Sequence, residues 1–202
     1  MKFLNKNNEA KWVSFRDWES RDFDPPSPVF VKRALMNRKG FRDSTWVETG
    51  TWKGDTALFL SHGANRVFTI EPDPSLFERA EERFRSNPKI TCVKGTSEEV
   101  LSDICKKIIA GPVNFWLDGH YSAGKTHKGI LDTPITYELS VISKHISRLK
   151  SVCILIDDVR CFNPSNPLYS DYPDLNYLVQ FAVECGLNWS IEHDIFIAST
   201  QP

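Results

Sequence analysis

Short apolar runs alternate with amphipathic stretches along most of this 202-residue chain. Strands are predicted where apolar and β-branched residues cluster, over residues 46–48, 66–70, 90–93, 113–117 and 152–156. Capping residues and helical spacing predict helices over about 55–62, 73–86, 97–109, 133–149 and 173–185, with Ser97 as the cap of the third. This strict alternation predicts an α/β fold with a doubly wound, mostly parallel sheet.

The end of the chain follows a different pattern. Residues 189–192 and 195–199 are two further predicted strands, separated only by His193-Asp194. Two residues are too few for a parallel crossover, so the sheet of seven strands should close with an antiparallel hairpin. We therefore expect one Rossmann-like domain over residues 28–202. Residues 1–27 should form an irregular lead-in whose aromatic side chains dock on the domain or over a pocket.

Composition narrows the class of protein. The charges of the 25 basic and 26 acidic residues nearly cancel. The sequence has no basic surplus or stripe of the kind that binds a nucleic acid backbone. Five scattered cysteines form no metal-binding spacing and indicate reduced thiols in the cytosol. No apolar run approaches the roughly 18 residues of a membrane helix, and the polar N-terminus is unlike a signal peptide. We expect a cytoplasmic protein without a membrane partner, and the oligomeric state stays open.

Polar residues collect where the predicted strands end, which is where an open α/β sheet binds its ligands. They are Glu48, Glu71, Gly95-Thr96-Ser97, Asp118 and Asp157-Asp158. After the first strand, Gly50 and Gly54 allow the backbone to approach a ligand and expose amide groups at a helix start. Glu71 is placed to accept hydrogen bonds from both hydroxyls of a ribose.

These segments resemble the class I S-adenosylmethionine-dependent methyltransferases over about residues 30–200. The similarity is carried by VETGTWKGDT (47–56), IEP (70–72), VKGTSEE (93–99), FWLDGHYS (115–122), ILIDD (154–158) and the final hairpin. The resemblance implies a methyltransferase in which Gly50, Thr51 and Gly54 line the methionine part of S-adenosylmethionine and Glu48 orders its amino group. It further implies that Glu71 holds the ribose and that Thr96 and Ser97 border the adenine. The first motif departs from the family in having only two glycines.

Three aspartates should meet at the ends of the fourth and fifth strands. Asp118, Asp157 and Asp158 would repel one another unless a cation or protons compensate them, and Mg²⁺ prefers such oxygen ligands. The arrangement resembles metal-dependent sugar and small-molecule O-methyltransferases of the macrocin type. It implies Mg²⁺-assisted methyl transfer to a hydroxyl of a small molecule such as a sugar, with Asp118 or His120 as the proton acceptor.

Two alternatives stay open. Residues 119–126, Gly-His-Tyr-Ser-Ala-Gly-Lys-Thr, match the phosphate-loop pattern GxxxxGK[ST] of NTPases and kinases. Gly129 and Pro134 follow soon afterwards, however, and argue against the long helix that such a loop begins. The domain could also bind a cofactor or a sugar nucleotide without catalysis, because a fold alone does not define function. The polar loop over residues 119–129 favours an enzyme.

Overall fold

The computed structural model describes residues 14–108, 111–118 and 133–201. The strands are β1 (Thr45–Thr49), β2 (Arg66–Glu71), β3 (Ile90–Lys94), β4 (Val113–Leu117), β5 (Val152–Ile156), β6 (Asn188–Glu192) and β7 (Ile195–Ser199). The helices are α1, described over residues 14–19, α2 (Val29–Lys39), α3 (Asp55–Ser61), α4 (Pro74–Phe84), α5 (Ser97–Lys107), α6 (Ile135–Ile146) and α7 (Leu175–Glu184).

The strands form one seven-stranded sheet in the order β3-β2-β1-β4-β5-β7-β6. The first five are parallel, and β7 runs antiparallel to both β5 and β6. His193 and Asp194 join β6 to β7 with φ angles of 52° and 68°, as a two-residue hairpin turn of the primed type requires. The predicted doubly wound sheet with a closing hairpin is confirmed.

Helices cover both faces of the sheet because neighbouring strand residues point in opposite directions. Val47 and Phe115 pack in a core with α5, α6 and α7. Trp46 directly precedes Val47, and Trp116 directly follows Phe115. Both tryptophans pack in a second core with α2, α3 and α4. Burial on both faces explains why β5 is apolar throughout and why β4 is apolar except for Asn114. Strand order reverses between β1 and β4, so a crevice is expected at their carboxyl ends.

Part of the described lead-in is helical where we expected irregular chain, since residues 14–19 form α1. Trp18 is buried and packs edge-on against His193 in the hairpin turn, with ring centroids 5.8 Å apart. The Ser27 hydroxyl donates to the carbonyl of the same histidine at 3.3 Å. Docking of a lead-in aromatic on the domain therefore occurs at the β6–β7 turn.

Two further findings concern composition. All five cysteines are free thiols, and Cys105, Cys153 and Cys161 are buried. No helix in the described ranges combines the length and apolar character needed to cross a membrane.

Candidate active site

The loop after β1 is a tight turn that needs both of its glycines. Gly50 and Gly54 have φ angles of 94° and 75°, in the region that favours glycine. A Cβ on Gly54 would lie 2.6 Å from the ring of Phe84. The amides of Gly50 and Thr51 donate to the carbonyl of Ile70 at 3.1 and 3.0 Å, which ties the turn to β2.

Glu48 lies beneath this turn and is 1% exposed. Thr69 Oγ1 donates to Glu48 Oε2 at 2.6 Å, and the Thr51 hydroxyl lies 2.6 Å from that of Thr69. Burial raises the pKa of Glu48 to about 8, and the nearby carboxylates of Asp118 and Glu71 add to the shift. The carboxyl is therefore mostly protonated at neutral pH, and its contact with a cofactor amino group stays a prediction.

Glu71 joins the ends of β1 and β2. Its Oε2 accepts from the amide of Trp52 at 2.8 Å, and its Oε1 accepts from the amide of Asp73 at 3.0 Å. These contacts hold the buried carboxyl group at the sheet edge beside the glycine turn. Each carboxylate oxygen has more than one lone pair, so this orientation is compatible with ribose hydroxyls as further donors.

The loop after β3 lies next to Glu71. Gly95 donates its amide to the carbonyl of Glu71 at 3.2 Å, and α5 follows. The sequence predicted Ser97 as the cap of this helix, but Thr96 is the cap, in a capping box with Glu99. The Thr96 amide donates to Glu99 Oε2 at 3.0 Å, and Ser97 is buried in the first turn. Both predicted adenine-bordering residues therefore lie at the same edge as Glu71.

Glu138 is a buried residue of this edge that we did not predict. It lies in the first turn of α6 and is 1% exposed. Burial raises its pKa to about 7, an effect that the Ser97 hydroxyl partly offsets. Among the described residues, Glu138 Oε1 and Thr49 Oγ1 have no partner in hydrogen-bonding geometry. The signal was present in the sequence, because Glu138 falls on the apolar stripe of Ile135, Leu139 and Ile142.

The aspartates after β4 and β5 are neighbours, as predicted. Leu117 pairs with Ile156, and the Asp157 amide donates to the Leu117 carbonyl at 3.1 Å, so Asp118 and Asp157 follow adjacent strand positions. Asp157 and Asp158 are both buried. Burial and the charge of Asp118 raise the pKa of Asp157 to about 7.

The structure does not support the predicted Mg²⁺ site of Asp118, Asp157 and Asp158. Lys32, on α2, forms a hydrogen-bonded ion pair with Asp157, and its Nζ lies 3.9 Å from Asp158 Oδ1. Arg160 Nη1 contacts Asp158 Oδ1 at 2.6 Å and also pairs with Asp194. Side-chain cations thus supply the compensation that we assigned to a metal ion.

No cluster of three or more His, Cys, Asp or Glu side chains in the described parts of the chain could hold a metal ion. The predicted catalytic His120 and the phosphate-loop segment 119–126 lie outside the described residues. The first helix described after that segment, α6, begins only at Ile135.

Comparison with solved structures shows the same fold in methyltransferases. The N-methyltransferase NodS of Bradyrhizobium japonicum WM9, solved with S-adenosyl-L-homocysteine, has a TM-score of 0.52 and 14% identity, covering 84% of each chain. SMU.1697c of Streptococcus mutans, a proposed methyltransferase solved with the same ligand, has a TM-score of 0.51 and 14% identity over 87% of this chain and 98% of its own. A proposed rRNA methylase of Clostridium thermocellum has a TM-score of 0.54 and 13% identity over 87% and 97%.

No protein-family model matches the sequence, and the comparison with curated proteins gave no match. At this level of identity the structural likeness shows a shared fold. It agrees with the predicted Rossmann-like methyltransferase architecture and does not distinguish the macrocin type.

Proposed function

We propose that this protein is an S-adenosylmethionine-dependent methyltransferase that acts on a hydroxyl group of a small molecule. One observation carries the proposal. The Gly50–Gly54 turn, the carboxyl group of Glu71 and the Thr96–Ser97 helix start are linked by hydrogen bonds at one sheet edge. That edge adjoins the reversal of strand order, in a fold shared with proteins solved with S-adenosyl-L-homocysteine.

Within this proposal, the glycine turn and Thr51 bind the methionine part of the cofactor. Glu48 supports the turn and orders the amino group of the cofactor. Glu71 accepts hydrogen bonds from the ribose, and Thr96 and Ser97 border the adenine. The acceptor lies on the neighbouring side of the crevice, beside Asp118 and Asp157. Asp118 or His120 removes the proton from the acceptor hydroxyl.

The magnesium assistance suggested by sequence is not part of the proposal. Its basis was an uncompensated group of carboxylates, and Lys32 and Arg160 now compensate Asp157 and Asp158. Turnover is therefore expected to continue in excess EDTA.

The acceptor class follows from charge. The net charge of −1 and the absence of a basic stripe in the sequence favour a small molecule over the polyanionic substrate of an rRNA methylase. The cytosolic location inferred from the cysteines stays a prediction.

Binding of S-adenosyl-L-homocysteine, measured by isothermal titration calorimetry, tests the cofactor assignment. Glu71→Ala should weaken binding by roughly 1.5–3 kcal/mol, the scale of hydrogen bonds to a charged group. The matched control is Glu78→Ala, an exposed glutamate on the following helix α4, which should bind like the wild type.

Two results would contradict the proposal. One is unchanged affinity in Glu71→Ala, and the other is Mg²⁺-dependent ATP hydrolysis that Lys125→Ala abolishes. The second result would identify residues 119–126 as a working phosphate loop.

A further inference from the structure

Lys32 occupies an unusual position for a lysine. Its side chain is 18% exposed, and its ammonium group donates a hydrogen bond to Asp157, whose side chain is 1% exposed. Leu35 and Met36 lie one helical turn further along α2 and are buried in the core. Because residues three and four apart share a helix face, this anchoring holds Lys32 against the sheet edge.

We propose that Lys32 is the resident cation of the acceptor site. Its ammonium group takes the place beside Asp157 and Asp158 that a divalent ion would otherwise fill, and it donates a hydrogen bond to the acceptor oxygen. The second part of this inference rests on the proposed methyltransferase function, whereas the first part does not.

The ammonium group has capacity for such a contact. It carries three N–H donors, and within the described residues it forms one hydrogen bond, to Asp157 Oδ2. Lys32 Nζ lies 3.9 Å from Asp158 Oδ1, which is close enough for an ion pair but too far for a hydrogen bond. Asp118, one of the two proposed bases, also acts electrostatically on Lys32. A donor is thus available at the edge where Asp118 ends β4.

The chemistry explains why a cation is useful there. During transfer, a lone pair of the acceptor oxygen forms the new O–C bond, while the S–C bond breaks and its electron pair stays on sulfur. The hydroxyl proton passes to the Asp118 carboxylate. Negative charge develops on the oxygen as the proton leaves, and a fixed ammonium group beside it stabilises that charge.

Metal binding tests the first part without any substrate. The probe is Mn²⁺, followed by electron paramagnetic resonance at about pH 8, well above the ordinary pKa of an aspartate carboxyl group. Lys32→Met keeps the aliphatic stem but removes the charge, and it should bind Mn²⁺ more tightly than the wild type by about tenfold or more. Lys39→Met, on the same helix but paired with Glu192, is the matched control and should behave like the wild type.

If Lys32→Met does not fold, Lys32→Gln serves instead, because its amide can still donate to Asp157. Lys32→Arg keeps the positive charge and should exclude Mn²⁺. A folded Lys32→Met or Lys32→Gln variant with the Mn²⁺ affinity of the wild type would overturn the assignment. Tight Mn²⁺ binding by the wild type would do the same.

Turnover tests the second part, with an acceptor found by screening hydroxylated small molecules. Lys32→Met should lower kcat by about 100-fold, the scale for losing one donor to a developing oxyanion. Affinity for S-adenosyl-L-homocysteine should be unchanged, and Lys32→Arg should recover part of the activity. Wild-type kcat in Lys32→Met would refute the role of Lys32 and leave the proposed function intact. Absence of cofactor binding in the wild type would refute the proposed function, and the Mn²⁺ result would still decide the position of the cation.

Discussion

Glu48 offers a direct test of the electrostatics at the cofactor edge. The carboxyl group is 1% exposed, and burial raises its pKa from an ordinary 4.5 to about 8. A raised carboxyl pKa means that the folded state favours the protonated form. Protonated Glu48 therefore stabilises the folded state relative to ionised Glu48. This contribution to the free energy of unfolding is fully present below about pH 4.5 and is lost as the pH rises through about 8.

The size of the effect follows from the pKa difference. One pKa unit corresponds to about 1.4 kcal/mol, so Glu48 can lower the free energy of unfolding by at most about 5 kcal/mol between pH 4 and pH 9. This is an upper limit, because water entering the site would stabilise the carboxylate. The hydrogen bond from Thr69 opposes the shift and is already included in the value of about 8.

The substitution Glu48→Gln keeps the shape of the side chain and an oxygen that can accept from Thr69, but it cannot ionise. We expect the wild type and the variant to have similar unfolding free energies at pH 5. At pH 9 the variant should be the more stable of the two by several kcal/mol. Urea denaturation at pH 5, 7 and 9 measures the difference.

Other buried acids titrate in the same range, including Glu138 and Asp157, but they contribute equally to both proteins. The exposed Glu78→Gln variant controls for the change in net charge and should follow the wild type at every pH. A stability difference between Glu48→Gln and the wild type that is constant from pH 5 to pH 9 would refute the reasoning. A free energy of unfolding that increases in the wild type relative to the variant as the pH rises would refute it as well.

Two predictions concern the folded framework. Gly54→Ala should destabilise the protein by about 1–3 kcal/mol in urea denaturation, because φ is 75° there and the new Cβ would lie 2.6 Å from Phe84. Gly63→Ala is the control, since a Cβ there meets nothing within 4 Å, and equal losses in both variants would contradict the prediction. Trp18→Ala should cost about 2–4 kcal/mol by removing its packing on His193, and it should speed proteolysis of the lead-in. An unchanged cleavage rate would show that this contact does not hold the segment.

The sheet could be predicted from the sequence because its signals are local. Buried parallel strands appear as short apolar runs, and each predicted strand lies within one or two residues of its observed bounds. The two residues His193 and Asp194 left room only for a hairpin, which the structure contains. The cap of α5 was misassigned by one residue, although Thr96 and Glu99 show the capping-box spacing that identifies the cap.

Helix α2 was missed because its sequence lacks a clear apolar stripe. Over Val29–Lys39 only Leu35 and Met36 are buried, and charged side chains are spread through the segment. Pro28 precedes it and provides no side-chain cap. Packing against Trp46 and its neighbours, rather than local preference, stabilises this helix, and such tertiary contacts are not visible in a single sequence.

The need for positive charge beside Asp118, Asp157 and Asp158 could be predicted from the sequence, whereas the group that supplies it could not. Grouped carboxylates at a sheet edge do require compensation, and the structure supplies it. Repulsion between the carboxylates defines the sign of the compensating charge but not the group that carries it. Lys32 is 125 residues from Asp157 along the chain and lies on the helix that was missed, so no spacing rule connects the two. A metal ion and a lysine satisfy the same carboxylates, and only the position of α2 decides between them.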